Sequence, residues 1–402
     1  MEVNLLNNKI VVVGAGYVGL ATAVLFSQIY SVTILEIDYE KIEKINKRKS
    51  PLKDETIESF FADKTLDLTA TNDEKSAYSN ADLIIICIPT DYNEQLKSFD
   101  TTKIGYVIEK ALKYNKNADI VIKSTLPIGY TSDIIQTSGY SDIIYSPEFL
   151  REGHALSDMM TPDRVIIGSC DCNRECAHRY LEKLQKCIHC DTDVQIMGNS
   201  EAEAVKLFSN AYLAMRVSFF NELDMFAENN NMSSFQIIKG VCKDTRIGDY
   251  YNNPSFGFGG YCLPKDVKQL IADFKELPCT LIKSVSDSNQ IRFLVMAQNI
   301  LEKAVKLSVN PTIGVYRLSM KSGSDNFRQS SVLNVIEQEC LKGIRIIIYE
   351  PEIHQKKYID YEVLGDLTEF KKESTIIIAN RKDSLLDDVS NKIYSRDVFG
   401  KN

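Results

Sequence analysis

The chain has 402 residues, 44% of them hydrophobic and 25% charged, so it has the composition of a globular protein with two or three domains. Lysine and arginine number 47 against 55 aspartates and glutamates, which gives a net charge of −8. This mildly acidic balance argues against nucleic acid as a partner held by bulk charge. The 10 cysteines are too sparse for a disulfide scaffold, and we expect free thiols in a reducing, cytoplasmic compartment.

One uncharged stretch, residues 10–35, raises the question of a membrane span or a secretory signal. Gly14, Gly16 and Gly19 interrupt it, and several hydroxyl and amide side chains make it too polar for a spanning helix. We therefore predict no membrane association. The stretch is better explained as a buried strand, a helix and a second buried strand in close succession.

Short apolar runs alternate with helical patterns along the first half of the chain. Strands are predicted at residues 9–13, 31–37, 81–88, 118–123, 142–145 and 164–168. Helices are predicted at residues 16–28, 101–114 and 174–186. Such alternation predicts a parallel sheet with crossover helices, which is a nucleotide-binding type of domain.

Helical patterns dominate the middle of the chain. Residues 201–229 contain no proline or glycine, and their apolar side chains fall on one stripe, which predicts a long helix. That stripe consists of Val205, Phe208, Tyr212, Met215 and Phe219. Further helices are predicted at residues 234–243, 265–273 and 286–308, and further strands at 312–316, 343–349 and 375–379. We predict an α/β fold with two Rossmann-like parallel-sheet domains, residues 1–197 and 309–402, joined by a central long-helix segment, residues 198–308.

The first segment with chemical meaning is Gly14-Ala15-Gly16-Tyr17-Val18-Gly19. It follows a predicted strand, opens a predicted helix and is followed about 20 residues later by an acid, Glu36, as the dinucleotide fingerprint requires. Gly14 permits the tight turn, Gly16 lets the backbone approach a pyrophosphate, and Gly19 lets helix and strand pack. Glu36 would hold the ribose hydroxyls and repel a 2′-phosphate, which favours NAD over NADP. Lys41 is either near the cofactor or a solvated charge on the next helix.

A second segment surrounds Cys262, which follows three glycines and precedes Lys265 and Asp266. Glycines let a ligand approach the backbone closely, and a thiol beside a cationic lysine can become a thiolate nucleophile. The alternative is a buried structural thiol.

Two further pairs are candidates for catalysis. Glu148 and Glu152 lie four residues apart after a predicted strand. Paired carboxylates suit acid–base catalysis, but they are also typical of an ordinary charged helix start. Lys206 and Asn210 share one face of the long helix, where they are either functional or a solvated pair.

Together these segments resemble the UDP-glucose/GDP-mannose dehydrogenase family, the UDP-glucose 6-dehydrogenases in particular. The segments that carry the resemblance are GAGYVGL (14–20), KSTLPIG (123–129), SPEFLREG (146–153), EAEAVKLFSNAYLA (201–214) and FGFGGYCLPKD (256–266). The resemblance covers nearly the whole chain. It implies oxidation of the C6 alcohol of a UDP-sugar to a carboxylate with NAD as cofactor, no metal, and a homodimer supported by the long helix.

The resemblance also implies a catalytic set, and its members are Cys262, Lys206, Glu148, Asp266, Asn210 and Thr125. Cys262 would attack the aldehyde formed by the first oxidation and give a thiohemiacetal. The second oxidation would leave a thioester, which water would hydrolyse with Glu148 as base. The covalent bond would explain why the aldehyde does not escape.

Lys206 and Asn210 would stabilise the developing oxyanion charge in this scheme. The proton of the first oxidation would go to Asp266, acting through an ordered water with Thr125, or to Lys206. The sequence leaves this choice open.

Binding residues are carried over from the same resemblance. The implied sugar-nucleotide contacts are Glu148, Phe149, Leu150, Arg151, Glu152, Lys206, Arg246, Tyr250, Tyr251, Asn252, Asn253, Ser255, Gly259, Tyr261, Arg317 and Lys321. Beyond the glycine segment and Glu36, the implied cofactor contacts are Lys41, Thr90, Thr125, Glu152, Lys265 and Arg328. Two features depart from the commoner family pattern: Glu36 stands where aspartate is more usual, and residues 315–328 (VYRLSMKSGSDNFR) replace a more widespread form.

Three rival functions remain open. A sister enzyme would oxidise another nucleotide sugar, such as GDP-mannose or a UDP-N-acetylhexosamine, by the same chemistry. A regulatory dinucleotide-binding protein would have no use for the catalytic set, and a two-electron dehydrogenase would not need Cys262.

A cluster of zinc-ligand residue types has no counterpart in the family, and it comprises Cys170, Cys172, Cys176, His178, Cys187, His189 and Cys190. Because residues 174–186 are predicted as one helix, we expect unrelated thiols here rather than a metal site.

Overall fold

The computed structural model describes residues 6–63, 65–318 and 330–400. The chain divides into two compact units, Met1–Phe208 and Ser209–Asn402, which we call the N-terminal and C-terminal units. The predicted division into three parts is a finer one and stays a prediction.

The N-terminal unit is built on an eight-stranded sheet. Its strands are β1 (Leu6–Val13), β2 (Tyr30–Leu35), β3 (Leu68–Thr71), β4 (Leu83–Ile86), β7 (Asp119–Ile122), β8 (Ile143–Tyr145), β9 (Arg164–Gly168) and β10 (Asp193–Met197), while β5 (Tyr92–Asn93) and β6 (Ser98–Phe99) form a separate antiparallel pair. The spatial order is β10-β9-β8-β7-β4-β1-β2-β3. The described neighbours pair in parallel except β8 and β9, which are antiparallel.

Helices cover both faces of this sheet. They are α1 (Tyr17–Ser27), α2 (Tyr39–Asn46), α3 (Glu55–Asp63), α4 (Glu74–Tyr78), α5 (Thr102–Tyr114), α6 (Tyr130–Ser138), α7 (Ala155–Met160) and α8 (Arg174–Gln185). Along β1, Ile10 and Val12 point into one buried cluster and Val11 and Val13 into another. A strand buried on both faces is apolar throughout, which is why these runs lack the polar alternation of a surface sheet. The predicted Rossmann-like parallel sheet is confirmed.

The predicted long helix is confirmed as α9 (Asn199–Asn229). It continues through the boundary between the two units, so Lys206 belongs to the N-terminal unit and Asn210 to the C-terminal unit. Among the described residues, the helices lack the combination of length and apolar character that crossing a bilayer requires.

The C-terminal unit contains a second, six-stranded sheet of spatial order β13-β14-β12-β11-β15-β16. Its strands are β11 (Thr312–Tyr316), β12 (Arg345–Tyr349), β13 (Lys357–Tyr358), β14 (Tyr361–Val363), β15 (Ile376–Ala379) and β16 (Ile393–Tyr394). Its helices are α10 (Ser234–Val241), α11 (Cys262–Asp273), α12 (Thr280–Leu307), α13 (Ser331–Ile336) and α14 (Leu367–Glu373), with 3-10 turns at Glu339–Leu341 and Ser384–Lys392. The strand order reverses at β11, since β12 lies on one side of it and β15 on the other. The predicted second Rossmann-like sheet is therefore confirmed as well.

Two helix starts differ from the prediction. α11 begins at Cys262 rather than at Lys265, because Pro264 lies in the first turn, where its missing N–H costs no hydrogen bond. α12 begins at Thr280 rather than at Ser286, and buried Val285 lies within its added turns. Cys262 is therefore the first residue of a helix, which matters for its chemistry.

Candidate active site

The glycine segment between β1 and α1 has the geometry of a phosphate-binding turn. Gly14 has φ +96°, and a Cβ there would lie 3.0 Å from the carbonyl oxygen of Cys87. A Cβ on Gly19 would lie 1.9 Å from the carbonyl oxygen of Gly14, so only glycine lets α1 pack this closely on the turn. Gly16, in contrast, is exposed and has no neighbour within 4 Å of its Cβ position. The turn is tight on its protein side and open at Gly16.

The N-terminus of α1 faces this open side. Gly16 is its N-cap and provides no side-chain hydrogen bond, while Tyr17 and Val18, both half-buried, form its first turn. The first backbone N–H groups of a helix have no partners within the helix and favour an anion. The sheet reverses its order between β1 and β4, which is the point where open α/β sheets bind nucleotides. These residues fit the pyrophosphate of NAD.

Cys87 packs directly against Gly14 and Gly19 of this turn. Burial raises the pKa of its thiol to about 12, so the group stays protonated and inert near neutral pH.

Glu36 lies just beyond β2 and is mostly buried. Its Oε2 accepts a hydrogen bond from the backbone N–H of Ala15 at 2.7 Å, and its Oε1 accepts one from Ile37 at 2.8 Å. The carboxylate is therefore fixed beside the glycine turn, where a ribose would lie. Lys41 is half-buried in the first turn of α2, and its role as a cofactor contact stays a prediction.

Thr90 and Thr125 lie close together at the carboxyl edge of the sheet. Thr90 follows β4, is buried, and donates its hydroxyl proton to the backbone oxygen of Thr125 at 2.8 Å. Thr125 follows β7 and is half-buried. The predicted cofactor contact and the predicted catalytic residue thus share one edge of the N-terminal unit.

Glu148 and Lys206 form a largely buried pair in the N-terminal unit. Nζ of Lys206 donates to the backbone oxygen of Glu148 at 2.6 Å and lies 3.2 Å from its Oε1. The Oε2 of Glu148 accepts the backbone N–H of Leu150 at 2.9 Å, and Lys206 also lies 5.4 Å from the ring centre of Phe149. An ammonium held between a carboxylate and an aromatic face is not a solvated charge, so the solvated alternative for Lys206 is wrong.

The rest of this segment is more open. Arg151 is exposed and makes a two-pronged salt bridge with Asp158, at 2.7 and 3.0 Å. Glu152 is half-buried. Their predicted contacts with substrate and cofactor stay predictions.

Cys262 lies in the C-terminal unit as an exposed first residue of α11. One turn along the helix, the carboxylate of buried Asp266 accepts a hydrogen bond from Lys265 at 2.8 Å on Oδ1 and one from Asn210 on Oδ2. Lys265 and Asn210 are buried too, so the solvated alternative for Asn210 is also wrong. A helix N-terminus favours negative charge, which suits a thiolate at Cys262.

The predicted sugar contacts before Cys262 fall into two groups. Tyr250 is 76% exposed and Tyr251 46% exposed, so both rings are available to a ligand. Asn252, Asn253 and Ser255 are bonded within the unit: Asn252 to Asp249, Asn253 to Asp397, and Ser255 to Gly257. Gly259 and Tyr261, nearer to Cys262, are half-buried.

Late in the chain, three basic residues were predicted to contact the nucleotide or the cofactor, and the structure describes one of them. Arg317 directly follows β11, has φ +57°, and lies 3.6 Å from Asp383. Lys321 and Arg328 lie outside the described residues. Arg246, predicted as a further sugar contact, is exposed and pairs with Asp244 at 2.6 Å.

Sequence reasoning missed several buried polar residues that anchor loops or helix ends within each unit. Glu203 on α9 accepts hydrogen bonds from the backbone of Thr131 at 2.8 Å and from Gly129, and so caps α6. Asn289 and Arg292 on α12 bond to the loop before Cys262. No sequence signal marks these residues, because their contacts join positions far apart in the chain.

The cysteine-rich stretch needs a correction. Cys170 and Cys172 form a disulfide, with Cα atoms 5.4 Å apart, so the expectation of free thiols is wrong for these two. The turn after β9 brings them together, since Asn173 accepts a hydrogen bond from the backbone N–H of Cys170 at 2.6 Å.

Of the predicted zinc-ligand types, Cys176 lies with Asp119 and Asp142 in the one possible metal-binding group that the described residues contain. Arg179 pairs with Asp119 and lies 3.4 Å from Asp142, so a cation already occupies this place. Burial and the two carboxylates raise the pKa of Cys176, which disfavours the thiolate that a metal needs.

Known proteins share both the sequence and the fold of this chain. Residues 8–188 match the NAD binding domain of the UDP-glucose/GDP-mannose dehydrogenase family, and residues 200–291 match its central domain. The chain is 48% identical to a UDP-glucose 6-dehydrogenase of Campylobacter jejuni, over 97% of this chain and 99% of that one. It is 44% identical to one of Streptococcus pneumoniae, over 98% of this chain and 100% of that one.

Among solved structures, that of a UDP-glucose dehydrogenase from Pyrobaculum islandicum has a similar fold, with a TM-score of 0.85 at 22% identity over 98% of this chain and 94% of that one. Sequence and fold therefore agree, and the chain belongs to the UDP-glucose/GDP-mannose dehydrogenase family of NAD-dependent nucleotide-sugar dehydrogenases.

Proposed function

We propose that this protein oxidises UDP-glucose to UDP-glucuronate in two successive NAD-dependent steps. Two relatives at 48% and 44% identity are UDP-glucose 6-dehydrogenases. The observation that carries the four-electron reaction is the exposed thiol of Cys262 at the start of α11, beside the buried Asp266 group. A two-electron dehydrogenase has no use for such a thiol.

NAD, when bound, accepts one hydride in each oxidation, and the residues at Gly14, Gly16 and Glu36 would hold it. Cys262 adds its sulfur to the C6 aldehyde that the first oxidation leaves, and the aldehyde oxygen takes a proton to complete the thiohemiacetal. After the second oxidation the C6 carbon is a thioester. Water then adds to this carbon, the carbon–sulfur bond breaks, and the products are the uronate and the regenerated thiol.

Protein groups supply the proton transfers and the charge stabilisation. We assign Glu148 as the base that activates the hydrolytic water, since Lys206 and the backbone of Leu150 hold its carboxylate in one orientation. Lys206 and Asn210 stabilise oxyanion charge, and both are buried, where a fixed donor acts more strongly than in water. The first proton goes to Asp266 or Lys206, and the pH profiles of the Asp266→Asn and Lys206→Gln variants distinguish these routes.

The second sheet is proposed to bind the UDP portion. Arg317 follows β11 and Asn380 follows β15, and the sheet reverses its order between these strands. Nucleotides bind outside the carboxyl ends of strands at such a reversal. The guanidinium of Arg317 can donate paired hydrogen bonds to a diphosphate.

A homodimer is proposed through α9. Tyr212, Phe219 and Phe226 recur every seven residues along this helix and are 53%, 57% and 60% exposed. A row of exposed aromatic side chains is typical of a protein interface. We expect Phe219→Lys to convert a dimer into a monomer by light scattering, while Glu58→Lys, an exposed change on α3 and not on α9, leaves the dimer intact.

The experiment that tests the reaction measures NADH formed per sugar consumed, with purified protein, NAD and UDP-glucose. A ratio near two with a uronate product supports the proposal. A ratio near two on GDP-mannose or a UDP-N-acetylhexosamine, with none on UDP-glucose, would keep the chemistry and change the substrate. A ratio near one would remove the thioester step, and no turnover on any of these sugars would favour a regulatory protein.

A further inference from the structure

The loop that leads to Cys262, residues 252–261, is held by side chains from distant parts of the C-terminal unit. The backbone N–H of Ser255 donates to Oδ1 of Asn221 on α9 at 2.9 Å. The carbonyl of Ser255 accepts two hydrogen bonds from Arg292 on α12, at 2.9 and 2.7 Å. Two more side chains bond to the backbone of this loop, and they are Asn380 and Arg381.

Asn289 makes the most complete of these contacts. Its Oδ1 accepts the backbone N–H of Phe258 at 2.8 Å, and its Nδ2 donates to the carbonyl of the same residue at 2.8 Å. Asn289 is 5% exposed and Phe258 4% exposed. Because water has little access to this pair, loss of the amide would leave both backbone groups of Phe258 unsatisfied.

The short stretch between Phe258 and Cys262 is rich in glycine. It contains Gly259 and Gly260, and Gly260 has φ +78°. Glycine backbones are conformationally free, so anchors at the two ends of this short stretch help to set the position of Cys262. One end is Phe258, and the other is α11, which packs against α12. α12 thus supports both ends.

We propose that Asn289 is a positioning residue that sets the place of Cys262 by anchoring the loop at Phe258. The proposal rests on the covalent role of Cys262 in the proposed function. Asn289 touches the loop through an amide and acts through Phe258, so it takes no part in the bond changes. Asn289 therefore affects the rates of the steps that need a correctly placed Cys262 sulfur, which are the formation of the thiohemiacetal and of the thioester.

The test compares Asn289→Ala with wild type in the oxidation of UDP-glucose. We expect the formation of uronate to fall by about 10- to 100-fold, the loss that a displacement of about 1 Å causes in a reacting group. NADH per sugar should fall from two toward one, because the aldehyde leaves before the sulfur captures it. The KM for NAD should stay unchanged. A role in stability alone would not change the product ratio.

Asn299→Ala is the matched control, since Asn299 lies on the same helix and donates to Glu228 without touching the loop. Asn289→Asp retains the acceptor for the N–H of Phe258 and should show an intermediate loss; it also serves where the alanine variant does not fold. Equal product ratios in Asn289→Ala, Asn289→Asp and Asn299→Ala would overturn the proposal.

Two measurements without substrate separate this inference from the proposed function. Amide exchange in peptides that contain Phe258 should quicken in Asn289→Ala and not in Asn299→Ala. The rate of Cys262 alkylation by iodoacetamide, followed on its peptide by mass spectrometry, should change in the same variant alone. If wild type fails to oxidise UDP-glucose, these readouts still decide the role of Asn289, and unchanged values in both overturn it.

Discussion

Two glycine-rich loops, residues 14–19 and residues 252–261, each lead into a helix, but different parts of the protein hold them. The first is held by β2 and the residue that follows it: the N–H of Gly14 donates to the carbonyl of Leu35 at 2.9 Å, and that of Ala15 donates to the carboxylate of Glu36 at 2.7 Å. The second is held by side chains from α9 and α12 and from the segment after β15.

The space around one glycine of each loop differs as well. Gly16 in the first loop has no atom within 4 Å of its Cβ position, whereas a Cβ on Gly257 in the second would lie 2.3 Å from the ring of Phe293. Gly16 thus leaves open space in the first loop, whereas Gly257 serves protein packing in the second. Substitution of Gly16 should therefore alter ligand binding, and substitution of Gly257 should alter the fold and the placement of Cys262.

The largest expected effect lies at the end of the second loop. Cys262→Ser should lower uronate formation by about 10³-fold or more, because an oxygen ester cannot replace the thioester route. NADH and uronate are measured together on UDP-glucose. Cys190→Ser is the control, since that thiol is exposed as well but lies in the N-terminal unit. Full four-electron oxidation by Cys262→Ser would refute the covalent mechanism.

The second loop also depends on a buried charge. Asp224 on α9 is fully buried and accepts hydrogen bonds from Arg292, which holds Ser255, and from Arg396. Burial alone would raise the pKa of Asp224, but the hydrogen bond from Arg396 and the charges of both arginines bring it below its ordinary value of 3.8. A carboxyl group with a lowered pKa in the folded state stabilises the fold above its unfolded pKa, and this contribution disappears as the pH falls through the folded pKa.

Asp224→Asn should therefore destabilise the protein by about 3–5 kcal/mol at pH 7, because Arg292 stays buried without its carboxylate. The difference from wild type should shrink as the pH falls below about 4. Urea unfolding at several pH values measures both. Asp388→Asn, which removes an exposed partner of Lys371, should have little effect. A difference that stays constant down to pH 3 would contradict this account.

Gly257→Ala tests the packing role of glycine in the second loop. Gly257 has φ +145°, and the added methyl would meet Phe293, so we expect a loss of about 2 kcal/mol in the free energy of unfolding. Gly343→Ala is the matched control, because Gly343 also has a positive φ, +84°, but has open space at its Cβ position. Equal losses in the two variants would assign the effect to backbone conformation and not to the contact with α12.

The difference between the loops also explains what could be read from the sequence. The first loop and its acid are local: a strand, a turn, a helix and the next strand follow one another, so their apolar runs and glycines predict the fold and the candidate site together. Strands β1, β4 and β7 were predictable because burial on both faces makes their residues 10–13, 83–86 and 120–122 continuously apolar. β10 was missed, since its side chains are largely exposed and carry no such pattern.

The partners of the second loop could not be predicted, because they join residues far apart in the chain. Asn289 lies on a helix face with Val285, Phe293 and Met296, and periodicity alone gives no reason for an amide there. Likewise, the contact of Lys206 with Glu148 spans 58 positions. The family motifs identify Lys206 and Glu148 but not Asn289, and only the folded chain shows which atoms meet.

In the first loop, Gly16→Ala should leave stability nearly unchanged, since Gly16 has φ −80° and no neighbour at its Cβ position. The methyl would enter the space that the pyrophosphate needs, and we expect the KM for NAD to rise about 10-fold. Gly105→Ala, on α5 of the same unit, should leave the KM for NAD unchanged and raise stability by up to about 1 kcal/mol, because alanine favours a helix more than glycine does. A fall in stability without a change in KM would mean that this loop resembles the second one after all.

The smallest expected effect concerns Glu36. Glu36→Gln keeps the length of the side chain but removes the charge, and charge-assisted hydrogen bonds are about twice as strong as neutral ones. The KM for NAD should rise about 5-fold, and the preference for NAD over NADP should narrow, because a neutral amide no longer repels a 2′-phosphate. Glu40→Gln, an exposed change in α2, should leave both values as they are. If Glu36→Gln raised the two KM values equally, the carboxylate would act only by fixing the N–H of Ala15, and the first loop would then depend on a side-chain anchor in the way that the second depends on Asn289.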